Sequence, residues 1–284
     1  MDFGIFSYNN DIEMRPQVLG KALEERGFES LWYGEHDHIP ASRKTPYPLG
    51  GALPDEYIRM MDPFLALSAA AAVTEKLKLG TGICLVIERD VLTLAKEVAT
   101  LDQISNGRFL FGIGGGWNAE EMENHGTPFA HRFRVLREKI EALKALWTED
   151  EAAYQGKYVS FDPVWSFPKP VQKPHPPILA GFFSELGQKR VVRYCDGWMP
   201  LEAMVEDIPA TFSGLRQQME DAGRDPETLD LSIWTTPNIN PDVEKLDQLC
   251  SAGVQRVVIF SPVAGPETVL PFLDHYAELI PKFS

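Results

Sequence analysis

Leu79-Gly80-Thr81-Gly82-Ile83 and Leu110-Phe111-Gly112-Ile113-Gly114-Gly115-Gly116-Trp117 decide how this chain is read. Each is a β-prone apolar run that ends in glycine, with a helix-like or acidic segment after it. A bulky side chain at the carboxyl end of a strand normally fills space. Glycine removes that bulk and admits backbone angles that other residues avoid. Two bare strand ends in one chain point to something flat and large lying against the backbone, with close strand–helix packing as the alternative.

Strand-like and helix-like segments alternate on both sides of these runs. Strands are expected at residues 3–7, 30–33, 77–83, 108–113, 177–180, 197–200, 229–235 and 256–260. Helices are expected at 16–26, from Asp62 as N-cap and Pro63 to residue 73, and at 91–104, 132–147, 185–194, 208–222, 243–252 and 266–279. Eight strand–helix pairs predict an α/β fold, a (β/α)8 TIM barrel, as one domain over residues 1–284. A doubly wound sheet would carry its glycine fingerprint after the first strand, whereas here the glycines follow the third and fourth. Three stretches interrupt the rhythm: residues 37–61 after strand two, 118–131 after strand four and 148–176 before strand five. The first two leave the carboxyl face of a barrel and would roof a site there. The third carries Pro163, Pro168, Pro170, Pro174 and Pro176 and is expected to be extended and rigid.

Composition narrows the partners. Hydrophobic and charged fractions of 44% and 24% are ordinary for a globular protein, and a net charge of −14 argues against nucleic acid or an anionic membrane as the main partner. Cys84, Cys195 and Cys250 are widely spaced and odd in number, which fits a reducing cytoplasm and no zinc motif. Met1-Asp2-Phe3-Gly4-Ile5-Phe6 has no basic region and no long apolar stretch, so no signal peptide is expected. The run at 66–73 is too short to span a bilayer. A small-molecule substrate in the cytoplasm is the expectation.

The strand ends supply the site inventory. Strand one ends in Phe6-Ser7-Tyr8-Asn9-Asn10, strand two in Gly34-Glu35-His36-Asp37-His38, and strand seven in Trp234-Thr235-Thr236. This set is aromatic and glycine-rich, and suits a planar heteroaromatic ring better than a metal ion or a sugar. His36 and His38 share a side of an extended strand, but His125, His131, His175 and His275 stand in no ligand spacing, so no metal is expected. The preferred reading is a His36 that faces a cofactor and moves a proton; surface histidines in an acidic loop are the alternative. Ala180-Gly181-Phe182-Phe183-Ser184-Glu185 is a strand end, a glycine turn and a helix start capped by Ser184. Its free amides and helix dipole make an anion site without a basic residue, a capped helix with no ligand being the plainer alternative.

In this order the segments resemble a known family. The carriers are Glu25-Arg26-Gly27-Phe28-Glu29-Ser30-Leu31-Trp32, Gly34-Glu35-His36, the first glycine run, Leu94-Ala95-Lys96-Glu97 and Leu101-Asp102-Gln103-Ile104-Ser105-Asn106-Gly107-Arg108. Residues 112–121, Leu146-Trp147, Pro168-Lys169-Pro170-Val171-Gln172, Pro174-His175-Pro176-Pro177-Ile178 and Asp196-Gly197-Trp198 complete the set. Nearly the whole chain is thereby similar to the bacterial-luciferase-like superfamily of flavin- and deazaflavin-dependent enzymes, and within it to the probable F420-dependent oxidoreductase branch. The resemblance implies a TIM barrel with the ring over its carboxyl mouth, a cis peptide between Gly82 and Ile83, and a homodimer. It implies F420 as cofactor, with FMN and a reduced-flavin monooxygenase as the alternative; a non-catalytic flavin-binding protein is the reading from a different class. Cofactor contacts are expected from Glu35, His36, Thr81, Gly82, Ile83, Gly114, Ala180, Gly181, Phe182 and Ser184, with His36 catalytic and the phosphate on the Gly181–Phe182 turn. Substrate contacts are expected from Phe6, Tyr8, His38 and Trp117. Two positions depart from the F420 dehydrogenase pattern: Pro40 stands where a Trp is usual, and Trp117 where a Glu is usual beside the strand-four glycines. The proton donor to a substrate oxygen is therefore unassigned at this level.

Overall fold

A computed structural model describes residues 1–283. Its strands are β1 (Asp2–Ser7), β2 (Ser30–Tyr33), β3 (Lys78–Thr81), β4 (Phe109–Ile113), β5 (Ala152–Gln155), β6 (Ser160–Val164), β7 (Ile178–Ala180), β8 (Gly197–Trp198), β9 (Asp230–Trp234) and β10 (Arg256–Phe260). Eight of them close a barrel in the order β1-β10-β9-β8-β7-β4-β3-β2, every neighbouring pair parallel. The helices that position the site are α2 (Pro63–Ala71), α3 (Val91–Ile104), α4 (Ala119–Asn124), α5 (Arg132–Thr148) and α6 (Glu185–Tyr194). The barrel expected from the alternation is the barrel observed.

Local chemistry sets the helix starts. The side chains of Asp62, Asp90 and Ser184 accept from the amides of Leu65, Thr93 and Gly187, each satisfying a donor that the first helical turn leaves free. Pro63 occupies the first position of α2, where its missing N–H costs nothing. Inside the barrel, Phe6, Trp32, Leu110, Leu179, Met199, Trp234 and Val258 pack into one cluster, and the larger apolar shell lies between strands and helices. At the amino end, Arg256 is 4% exposed and bonds both Glu29 and Asp230 at 2.8 Å, which closes the barrel floor with paired charge.

Packing claims part of the glycine pattern. A Cβ on Gly80 would meet the Trp32 ring, and one on Gly112 would meet the carbonyl of Thr81 and the end of Met199. These two glycines are bare so that the barrel can close around large side chains. Gly82 and the run from Gly114 to Gly116 are also closely packed, but unlike Gly80 and Gly112 they face the barrel mouth.

The inserts differ from bare loops. Residues 118–131 contain α4, and 148–176 contain the antiparallel hairpin β5–β6 before the irregular proline-rich stretch. The expected strand at 77–83 is cut to Lys78–Thr81, beyond which the Gly82 amide still donates to the Tyr33 carbonyl and Cys84 bridges Ile113. Among the described residues no helix is long and apolar enough to cross a membrane.

Candidate active site

A cavity of about 440 Å³ opens at the carboxyl mouth of the barrel, a size that suits a cofactor or small-molecule site. One wall is backbone. Gly82, Gly114, Gly115 and Gly116 face the space, with Ile83 seated on Gly114, and the Gly82–Ile83 peptide is cis. A side chain at Gly115 would collide with Phe133, and one at Gly82 with Trp234, so this wall stays flat only with glycine.

The sequence-predicted residues divide into three groups. Phe6, Tyr8, Glu35, His36, Gly82, Ile83, Gly114, Trp117, Gly181, Phe182 and Ser184 line the cavity. Thr81 and Ala180 do not: both are fully buried in strands, and the Thr81 hydroxyl donates to the Gly112 carbonyl at 2.8 Å. His38 also lies off the cavity, where Nδ1 meets Asp37 and Nε2 meets Asn124 Nδ2 at 2.9 Å. His125, from the insert after β4, reaches Asp37 at 2.8 Å, so this polar cluster ties the two roofing inserts together.

Two lining residues have their polar groups committed elsewhere. The Glu35 carboxylate accepts from the Leu85 amide and from Arg89 Nε, both at 2.5 Å, and Arg89 goes on to Asp62 at 2.6 Å and Glu97 at 2.9 Å. Glu35 is thus a strut between strand end and helix starts. The Gly181 amide donates to the Ile113 carbonyl at 2.9 Å, so it is not free for an anion.

Two cationic side chains also reach the cavity. Arg132, the first residue of α5, and Arg190, in α6, line the cavity beside Phe182 and Ser184. Their guanidinium carbons lie 4.5 and 4.1 Å from the Phe133 ring centroid. Neither forms a carboxylate pair among the described residues, and Arg132 Nε is buried with no hydrogen-bond partner. Burial and the nearby Arg190 both push the Arg132 pKa down. Two cations thus stand at the same ring without a carboxylate partner among the described residues, in a chain of net charge −14.

His36 is the group able to move a proton. Trp117 Nε1 donates to His36 Nε2 at 3.2 Å, so Nε2 is the acceptor and Nδ1 carries the hydrogen. Nδ1 faces the Glu121 carboxylate at 2.7 and 2.9 Å. Burial drives the His36 pKa down; burial, and then Asp37, drive Glu121 up. Both shifts favour uncharged forms, so the pair keeps a neutral imidazole whose Nε2 lone pair points to Trp117 at the cavity wall. Glu121 lies fully buried on α4, in the insert that follows the strand-four glycines. The sequence reading missed it, and missed Arg132, Arg190, Tyr47 and Tyr57. The one signal for Glu121 is its spacing with Asn118 and Met122, which puts all three on one helical face.

A sequence profile of the luciferase-like monooxygenases matches residues 16–270. The chain belongs to that family. Its members are oxidoreductases, so membership fixes the reaction class. An uncharacterised protein of Mycobacterium tuberculosis is 37% identical over 283 residues, 98% of each chain. The family's FMNH2-dependent dimethylsulfone monooxygenase of Pseudomonas putida is 34% identical over 151 residues, 52% of this chain and 41% of its own. The solved monooxygenase RslO1 of Streptomyces bottropensis matches with a TM-score of 0.82 at 21% identity over all of both chains. The coenzyme F420-dependent tetrahydromethanopterin reductase of Methanopyrus kandleri matches at 0.77 and 20%, over 100% and 99% of the two chains. At these identities the two structures share the family fold with this chain.

Proposed function

We propose that this protein is an F420-dependent oxidoreductase that exchanges a hydride with a small organic substrate. The observation that carries the reading is the His36–Glu121 pair at the mouth of a cavity with a glycine wall. Hydride transfer at a carbon that bears oxygen requires a proton to be given or taken beside it, and this pair can do either. Starting from ionised Glu121 and the Nδ1–H imidazole, Nε2, once released by Trp117, takes a proton as Nδ1 passes its own to the carboxylate, which leaves protonated Glu121 and an Nε2–H ring; the reverse movement delivers that proton to the substrate.

The cavity fits a deazaflavin. The flat wall at Gly82, Ile83 and Gly114–Gly116 accepts a ring face, and Arg132, Arg190 and the capped start of α6 suit its phosphate. The bound cofactor would supply two-electron hydride chemistry. The chain orients the partners, excludes water with its roofing inserts, and holds the proton between His36 and Glu121.

The second reading, a reduced-FMN monooxygenase, is favoured by the partial match to the Pseudomonas putida enzyme. Both cofactors carry a ring and a phosphate, so the cavity suits either. Purification from a host that makes both, followed by absorbance and mass of the retained cofactor, decides. Retention of a deazaflavin and its reduction by substrate support the proposal. Retention of FMN alone, with oxygen consumed in turnover, replaces it with the second reading. A homodimer in the cytoplasm accompanies the proposal; exposed Leu65 on α2 and Leu92 on α3, 76% and 41% exposed, are apolar side chains that a second copy would cover. Sedimentation at micromolar concentration tests the assembly.

A further inference from the structure

We infer that the half of the cavity opposite the arginines takes an uncharged, largely apolar substrate and discriminates against phosphorylated or carboxylated ones. The inference deepens the proposed function and rests on its assignment of the arginine end to the cofactor phosphate.

Barrel geometry separates the two ends. In the closed order, β1 lies diametrically across from β7. Ser184 and Arg190 follow β7, and Tyr8 follows β1, so cations and tyrosines stand on opposite sides of the mouth. The tyrosine side is continuous: Tyr8 packs on Tyr57 at 5.4 Å, Tyr57 on Tyr47 at 5.3 Å and on His36 at 5.5 Å. Met60, bridged to Asn10 after β1, and Phe260, on β10 and 6.2 Å from Tyr8, complete that side.

No carboxylate or guanidinium lines that side; the Arg43 guanidinium lies against the Trp117 ring, 5.8 Å from its centroid, and is not among the residues that line the cavity. The ionisable carboxylate and guanidinium groups lining the whole cavity belong to Glu35, Arg132 and Arg190. Glu35 is spent on Arg89 and the Leu85 amide, and the arginines lie at the far end. Burial raises the Tyr8 and Tyr57 hydroxyls well above the ordinary phenol range, and it lowers His36, so phenols and imidazole alike stay neutral. The Tyr47 and Tyr57 hydroxyls, 3.2 Å apart, offer a hydrogen bond without a charge. An anionic substrate would lose its water there and find no cation in the lining to pair with. A neutral molecule with an apolar body loses nothing comparable and gains contact with the rings.

The test uses the cofactor-loaded protein and tryptophan fluorescence, since Trp117 and Trp234 both line the cavity. Benzyl alcohol, benzoate and phenyl phosphate share a ring and differ in charge. Benzyl alcohol is expected to quench with at least tenfold tighter affinity than either anion. Met60→Lys, which adds a cation on the tyrosine side, is expected to bring benzoate to within twofold of the alcohol or below it. An anion bound by the unaltered protein as tightly as the alcohol, or an alcohol that does not bind up to its solubility limit, overturns the inference. The cofactor assignment fails separately, if deazaflavin binding without substrate is unchanged in an Arg132→Ala, Arg190→Ala double variant.

Discussion

His36 Nδ1 and Glu121 Oε2 meet at 2.7 Å across 85 residues of chain, one from the end of a barrel strand and the other from a short helix in the roof. The imidazole is held at Nδ1 by a group that can hold or release a proton, and at Nε2 by an indole N–H. Orientation and proton supply therefore come from the same contact.

Glu121→Gln keeps the size of the side chain and removes the proton carrier. We expect kcat to fall by about 10²–10³, within the range for general acid–base groups, while cofactor affinity changes less than about twofold. Steady-state kinetics with separate cofactor titration check this. A variant with unchanged kcat removes Glu121 from the mechanism.

What the sequence disclosed here follows from the range of the physics involved. The barrel was legible because periodicity, caps and glycine punctuation act over a few residues: Asp62 with Pro63 marks the start of α2 in the text as plainly as in space. His36 was legible because it follows a strand. Glu121 was not, because Glu120, Glu121 and Glu123 look alike in sequence, and only the packing of α4 turns the middle one inward. Glu120 instead reaches the Thr45 amide at 3.0 Å. The turn after β7 was half legible: the Ser184 cap was read correctly, but the Gly181 amide serves the β4–β7 edge, and the arginines that line the cavity nearby come from two helices far apart in sequence.

Arg190→Ala should weaken FMN or F420 by about ten- to a hundredfold, the worth of one charge-assisted hydrogen bond of roughly 1.5–3 kcal/mol. Riboflavin, which has no phosphate, should be affected less than about twofold. Parallel titrations of the phosphorylated and unphosphorylated ligands read the difference. Equal losses would move the phosphate away from Arg190.

Glu29 gives an acid-stability signature. Burial opposes its ionisation, but Arg256 and then Lys78 overcome this and hold the pKa at about 2, against 4.5 for a free side chain. A carboxyl depressed in the fold stabilises it above its unfolded pKa, and that stabilisation fades as pH falls from about 5 towards 2. The contribution at neutral pH is about 3 kcal/mol. Glu29→Gln should lose stability at pH 7 and approach the parent protein as pH drops through this window. Urea unfolding at several pH values measures it; a constant gap between the two proteins from pH 7 to 3 contradicts the assignment.

Gly80 and Gly115 separate the two reasons for a bare strand end. Gly80→Ala forces a methyl into the Trp32 ring, deep in the barrel, where neither backbone nor indole has room to retreat. Overpacking of this kind costs about 1–3 kcal/mol, so the melting temperature should fall, with cofactor affinity in the surviving folded protein little changed. Gly115→Ala instead meets the Phe133 ring at the half-buried edge of the cavity, where that ring carries the two arginines over its faces. Here the ring can turn, so stability should hold while binding of the phosphorylated cofactor weakens. Thermal melts and cofactor titrations on both variants give four numbers. If both glycines report only on stability, the wall at Gly115 is packing like the rest, and the ring must lie elsewhere in the mouth.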